Sequence, residues 1–348
     1  MKKIVLICDI DVKKGSSYFD FLMQLTSPRF QFILLARSIT DDAYNDLYSK
    51  GYCYSSFAGT WQLTRLLHRH QPHLIHLHFY GIGHPYTFIA RCFSSNIILT
   101  MHNSPPKEYK ITSLRKVKQK LLSMPLSRLC AISPFIEHWL GQFIAKEKIF
   151  LINNGINLSR FEYEKIPPLQ TKLRCFYVGS LSSEKGLHYL LALFSEPSLS
   201  HIAQLDIFGD GELKEQVELT ANKAQSIHYH GRSTHIEQDL KQAHIVLMPS
   251  CWQEAFGYVA IEAMAVGRPV VAEPIGGLAD LFVDQKQGWY VHFEQTEQVQ
   301  KLLMLIYNKS EVLADVSLAA RERVEQEYDI QRQITQTHEM YTSLLGIK

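Results

Sequence analysis

No apolar run in these 348 residues approaches the ~20 that a membrane-crossing helix needs. Met1-Lys2-Lys3 passes straight into a strand pattern, with no apolar region ending in a small-residue cleavage site. A soluble or peripheral protein is expected. The six cysteines, at 8, 53, 92, 130, 175 and 251, form no Cys-x-x-Cys pair and no cluster. That excludes a disulfide framework and a thiolate zinc site, and reads as reduced thiols in a cytoplasmic protein. Low-complexity tracts and short internal repeats are also missing, so a solenoid is not expected. Gly209-Asp210-Gly211 follows a strand and opens a helix at Glu212, but the third glycine of a dinucleotide fingerprint is lacking. The first strand turn lacks that motif too, so NAD binding is not expected.

What is present suits two α/β domains. Hydrophobic residues make up 46% of the chain, enough for two separate cores. A net charge of +2 conceals a split: residues 1–172 carry 22 Lys and Arg against 11 Asp and Glu, whereas residues 173–348 carry 14 against 23. The first half, at +11, is expected to face something acidic, and the second is at −9.

Short apolar runs alternate with helical patterns. Strands are expected at Ile4–Cys8, Phe32–Ala36, Leu74–His78, Ile97–Met101, Leu129–Ile132, Phe150–Ile152, Cys175–Gly179, Leu205–Phe208, Ile227–His230, Ile245–Met248 and Pro269–Ala272. This rhythm predicts two Rossmann-like domains of parallel sheet facing a cleft, with ligand sites beyond the strand carboxyl ends. Periodicity lapses between Asn157 and Thr171, where Pro167-Pro168 suggests a linker. A long helix at 309–327 and another helical pattern at Tyr328–Leu345 end the chain.

The richest segment runs from Pro249 to Ala272. A buried strand, Ile245–Met248, leads into an acidic loop; Phe256-Gly257 opens a helix that ends at Gly267, and Pro269 starts the next strand. The backbone N–H groups and positive dipole end near Gly257 suit a diphosphate. Glu254 and Glu262 can accept sugar hydroxyls on either side of it. On one continuous helix, residues eight apart sit only about 80° apart in azimuth, so the alternative is an ordinary solvated acidic flank.

Glu254 to Glu262, with Phe256-Gly257 between, resembles the E-x7-E signature of retaining glycosyltransferases of the GT-B fold, family 4. Gly179-Ser180-Leu181-Ser182-Ser183-Glu184-Lys185-Gly186 resembles the family's G-R-L-x-x-E-K-G segment. Ile207-Phe208-Gly209-Asp210-Gly211, His230-Gly231-Arg232 and Ile275-Gly276-Gly277 ahead of Asp280 follow in the family's order and spacing. The first half is similar more loosely, through Thr100-Met101-His102-Asn103, Ala131-Ile132-Ser133 and Asn153-Asn154-Gly155-Ile156-Asn157, with Gly15 where the family has a glycine loop facing the donor. Ser180 departs from the pattern, standing where the family usually has an arginine on the diphosphate. Serine donates only a neutral hydrogen bond, about half as strong as a charge-assisted one.

The resemblance implies a GT-B fold with a C-terminal helix crossing back to the N-terminal domain. Residues 1–160 with about 328–348 would form an acceptor-binding domain, 171–327 a nucleotide-sugar domain, and 161–170 the linker. It implies an EC 2.4 enzyme, retaining and metal-independent, moving a hexosyl or N-acetylhexosaminyl group. The donor is a nucleoside-diphosphate sugar, a UDP-sugar being favoured, and the acceptor a saccharide or lipid-linked saccharide of bacterial envelope polysaccharide or lipopolysaccharide synthesis. Glu262 would hold the ribose and Glu254 the transferred sugar. Lys185 with the Phe256, Gly257 and Tyr258 amides would face the diphosphate, and Gly15, Ser180, Gly209, Gly211 and Arg232 are further donor-binding candidates. With serine at 180, phosphate binding has to lean on Lys185, on backbone amides or on another cation such as Arg232. His102 would orient the sugar. No cofactor and no nucleic acid partner are implied. A sugar-nucleotide epimerase of the same architecture and a non-catalytic nucleotide-sugar-binding subunit are the alternatives.

Two clusters stand apart from these motifs. His76 and His78 alternate on one strand face, a conceivable zinc pair, but no Cys or carboxylate nearby in sequence completes a tetrahedron and the family has a similar His-x-His without metal. Lys107, Lys110, Arg115, Lys116, Lys118 and Lys120 are interleaved with Ile111, Leu114, Val117, Leu121 and Leu122. This basic amphipathic pattern reads as a contact with the inner face of the cytoplasmic membrane or an acidic acceptor, or equally as a solvated helix.

Overall fold

The structure, a computed structural model, describes residues 1–105 and 111–347. Two compact units account for the chain: Met1–Ile156 with Ile330–Lys348, and Asn157–Asp329. The first holds seven parallel strands, β1 (Lys2–Val12), β2 (Phe30–Ile39), β3 (Cys53–Ser56), β4 (Leu74–His78), β5 (Ile97–Met101), β6 (Arg128–Ala131) and β7 (Ile149–Leu151), in the order β3-β2-β1-β4-β5-β6-β7. Ile4 to Cys8 of β1 and Ile97 to Leu99 of β5 are wholly buried. Unbroken apolar runs are what a parallel sheet covered on both faces requires. The edge strand β3, Cys-Tyr-Ser-Ser, has no such run, because an edge half open to water selects no apolar pattern.

The last helix, Ile330–Leu345, belongs to this first unit, where Ile330, Ile334, Met340 and Tyr341 enter the core around β1, β2 and β4. Its tie to the sheet is polar as well as apolar. The Tyr341 hydroxyl meets His76 Nδ1 at 2.7 Å, and His76 Nε2 meets Thr100 Oγ1 at 2.7 Å. A neutral imidazole serves both contacts, donating from one nitrogen and accepting at the other.

The second unit holds six parallel strands, β8 (Leu173–Val178), β9 (Ala203–Phe208), β10 (Ile227–Gly231), β11 (Ile245–Met248), β12 (Val270–Ala272) and β13 (Gly288–Tyr290), in the order β10-β9-β8-β11-β12-β13. Residues 161–170 lie within this unit. Phe161 is buried, and the fully buried Arg268 guanidinium donates to the carbonyls of Glu164 and Lys165 at 3.0 and 3.3 Å. It also donates to those of Leu240 and Lys241 at 3.2 and 2.9 Å, so one side chain fastens the entry segment to the sheet. The long helix starts three residues later than its sequence pattern, at Val312, and runs to Glu327.

Both sheets reverse strand order once, between β1 and β4 and between β8 and β11. Ligand sites of open parallel sheets commonly lie beyond the strand carboxyl ends near such a reversal.

The buried polar groups make two expectations measurable. Arg268→Met leaves four carbonyls without their donor, so unfolding in urea should show a loss of at least about 3 kcal/mol, and Arg268→Lys should not restore it. Equal stability of the Met variant overturns the anchoring role. Burial pushes the pKa of His76 down to about 3 and that of His78 well below its usual value, so both are neutral in the fold. The unfolded chain protonates them near their ordinary value of about 6.5, so this stability is present above that pH and drains away as pH falls toward 3. The melting temperature should fall between pH 7.5 and 5, before most carboxylates titrate. A flat profile there contradicts the neutral pair.

Candidate active site

In the second unit, β8 and β11 pair side by side, and their outgoing loops touch. The Glu184 carbonyl accepts from the amides of Cys251 and Trp252 at 2.8 and 3.1 Å. Gly186 sits at φ 69°, where a Cβ would lie 1.8 Å from the Pro249 carbonyl oxygen, so only glycine permits this approach. The contact delivers Lys185, on a short 3-10 turn, to an ion pair with Glu254 Oε1. Ser250 Oγ donates to the same oxygen at 3.0 Å. Neither carboxylate nor ammonium is fully solvated, with side-chain exposures of 14% and 35%, so the pair is less screened than a surface salt bridge. The Gly277 amide donates to the Glu254 carbonyl at 2.6 Å and fixes the loop from behind.

The helix that follows is Tyr258–Ala265, with Gly257 at its N-cap and no side chain capping it. Glu254 therefore lies in a loop and Glu262 on a helix, and the two do not form one acidic flank. Phe256 is buried against Tyr258 and Tyr328, so its side chain wedges the helix start and only its backbone can meet a ligand.

Glu262 lines a cavity of about 380 Å³ together with Ser180, Phe208, Gly209, Asp210 and Arg232. Its walls are the loops after β8, β9 and β10. A Cβ at Gly209 would lie 1.8 Å from the Gly179 carbonyl oxygen, and the Leu181 amide donates to the Asp210 carbonyl at 3.0 Å, so the first two loops nest. Gly211 closes the same turn against Leu181. The Tyr177 hydroxyl donates to the Ser180 carbonyl at 2.6 Å, fixing that residue's backbone while its side chain is exposed. Phe208 stacks on His230 at 4.6 Å, and His230 Nε2 is held at 2.7 Å by the buried Asp206.

In the first unit, Gly15, at φ 82°, turns the chain between β1 and the helix Ser17–Gln24. His102 leaves the end of β5, stacks on Phe79 at 4.1 Å and places Nε2 3.1 Å from His78 Nδ1. Tyr18 from the first helix packs edge-on to it. This apolar surround pushes the pKa of His102 down to about 3, leaving a neutral imidazole able to hydrogen bond but not to carry charge. The His76 and His78 rings lie with centroids 4.0 Å apart, tilted by 36°. Among the described residues, no group of three His, Cys, Asp or Glu is placed to hold a metal ion.

Lys107 and Lys110 lie outside the described residues. Arg115, Lys116, Lys118 and Lys120 sit on the helix Ser113–Leu122, none of whose residues is buried. Leu114, Val117, Leu121 and Met124 are more than half exposed. Among the described residues, no helix is long and apolar enough to cross a membrane.

Ser250, Tyr177 and Asp206 support these contacts without a sequence motif of their own, and only the four-residue spacing of Ser250 from Glu254 could have signalled any of them.

The family model "Glycosyl transferases group 1" matches residues 159–323, and that of "Glycosyltransferase Family 4" matches residues 24–160. A glycogen synthase of Mycobacterium tuberculosis is 24% identical over 287 residues, 78% of this chain and 69% of the relative. The amylovoran biosynthesis glycosyltransferase AmsK of Erwinia amylovora is 27% identical over 246 residues, 64% of this chain and 56% of its own. Among solved structures, Anabaena HepE in complex with UDP and glucose superposes with a TM-score of 0.78 at 16% identity, covering 99% of this chain and 100% of that one. With the two family models spanning residues 24–323 and the fold matched from end to end, the chain belongs to the family 4 glycosyltransferases, group 1, of the GT-B fold.

Proposed function

We propose that the protein is a retaining, metal-independent glycosyltransferase that transfers a hexosyl or N-acetylhexosaminyl group from a nucleoside-diphosphate sugar to a saccharide or lipid-linked saccharide. The second unit takes the donor and the first the acceptor. The observation that carries this is the pairing of Lys185 with Glu254 beside a helix N-terminus, next to a cavity that Glu262 lines. Glu254 Oε1 is engaged by Lys185 and Ser250, which leaves Oε2 to accept a sugar hydroxyl. Glu262 takes the ribose hydroxyls. Lys185 and the Gly257 and Tyr258 amides stabilise the charge that grows on the departing diphosphate, and fixed donors aimed at developing charge are the main source of rate in such a transfer. Neutral His102 and the Gly15 turn orient the sugar. The leaving phosphate accepts the acceptor's proton on the face it vacates, which retains configuration.

A UDP-sugar is favoured as donor, in keeping with the HepE complex. An acceptor from envelope polysaccharide synthesis is in keeping with the amylovoran relative. The helix Ser113–Leu122 rests on anionic lipid at the inner membrane face. Leu114, Val117 and Leu121 form one exposed stripe, flanked by Lys118 and Lys120, and each basic residue near such a surface contributes about 1 kcal/mol.

Two measurements check this reading. Glu254→Ala should lower transfer by ~10²-fold or more, as loss of a transition-state contact does, while melting temperature and UDP affinity stay near those of the parent. Unchanged turnover sinks the role of Glu254. The protein should sediment with phosphatidylglycerol vesicles, less so in high salt, and the triple variant L114S/V117S/L121S should stay in the supernatant. Equal partition of parent and variant argues for a plain solvated helix.

A further inference from the structure

Three neighbouring strand ends bring Ser180, Asp210 and Arg232 to the cavity that Glu262 also lines. An anionic ligand entering it therefore meets two carboxylates, and among the described residues that line it Arg232 is the one cation. Lys185 does not line that cavity and is engaged by Glu254. Ser180, where the resembled pattern has arginine, offers only a hydroxyl. A diphosphate carried to the cavity's edge by its nucleoside, with Lys185 as its other cation, would be under-neutralised unless Arg232 turns to it.

We propose that Arg232 supplies the guanidinium that Ser180 lacks, so that Lys185 on the loop after β8 is joined at the diphosphate by a second cation from the loop after β10. This rests on the cavity being the donor site. Local geometry places the residue for it. The register of β10 on β9 shifts between Tyr229 and Gly231, and the Gly209 amide donates to the Gly231 carbonyl at 2.8 Å. That irregularity re-aims the chain at the sheet edge and sets Arg232 on the wall shared with Ser180. Its side chain is 79% exposed, and its partner, Asp210 Oδ2, stands 3.4 Å from Nε, at the long limit of a hydrogen bond. Such a contact holds the guanidinium over the cavity without saturating its five donors. A planar fork matches two phosphate oxygens, which a lysine could not do.

The rival use of Arg232 is to stack its plane on the base, and titration calorimetry separates the two. Wild-type protein is first titrated with UDP, GDP, ADP and CDP. The one that binds is then compared with its monophosphate and its nucleoside on wild type, Arg232→Ala, and the double variant Arg232→Ala with Ser180→Arg. Arg232→Ala should weaken the diphosphate about ten-fold to a hundred-fold, the monophosphate less, and the nucleoside not at all. Ser180→Arg should restore most of the diphosphate affinity. Equal weakening of all three ligands, or none, overturns the inference while leaving the donor site standing. So does a failure of Ser180→Arg to restore binding. If no diphosphate binds wild-type protein, the donor-site reading itself falls. Circular dichroism checks that each variant is folded, and Arg232→Lys, which keeps the charge but not the fork, should fall between wild type and Ala.

Discussion

The close approach of the loops leaving β8 and β11 is the constraint on which the site depends. The strands pair directly, so Gly186 and Pro249 are forced within a distance no side chain at residue 186 would allow. Lys185 and Glu254 stand 69 residues apart in sequence yet meet because of it. Every further contact here narrows the same loops: Glu184 takes two amides, Ser250 holds the carboxylate, and Gly277 holds the backbone. Such a site is set before ligand arrives, so little reorganisation is left for the reaction.

In the first unit burial does the opposite work, removing charge. His76, His78 and His102 lie within one aromatic cluster with Tyr18 and Phe79, and none can protonate readily. The same neutral state lets His76 link Tyr341 of the last helix to Thr100 of β5. One protonation preference thus serves the attachment of the chain's end and leaves His102 a neutral hydrogen-bonding group.

Of the thirteen strands among the described residues eleven were legible in the sequence, most of them because buried parallel strands favour apolar runs. The two that were not, Cys53–Ser56 and Gly288–Tyr290, are edge strands of four and three residues, where one side faces no neighbour and pattern is weakest. Spacing and glycines single out Lys185 and Glu254 in loops and Glu262 on the helix that follows, and the first two meet in the structure. Their supports were not legible: Ser250, Tyr177 and Asp206 act through a hydroxyl or carboxylate placed by the fold, and such a residue has no distinctive neighbours in sequence. Likewise 161–170 read as a linker because it lacks periodicity, whereas Arg268, a hundred residues downstream, binds its carbonyls. Phe256 read as a backbone contact with the diphosphate, and its ring is spent on packing.

Net charge and local charge point in opposite directions in the second unit. The half of the sequence from residue 173 onward carries −9, yet the proposed donor is an anion. Net charge acts over a Debye length of about 8 Å at physiological salt, so what decides binding is the charge within the first contacts. There the balance is made by a few groups: a helix start with no side-chain cap at Gly257, Lys185 on its 3-10 turn, and Arg232 at the edge of β10. Against them stand Asp210 and Glu254, which pair with Arg232 and Lys185, and Glu262 on the cavity wall. An arginine absent at 180 is therefore a local deficit in a surface that has few cations to spare, and neutralisation has to come from a side chain already on that wall.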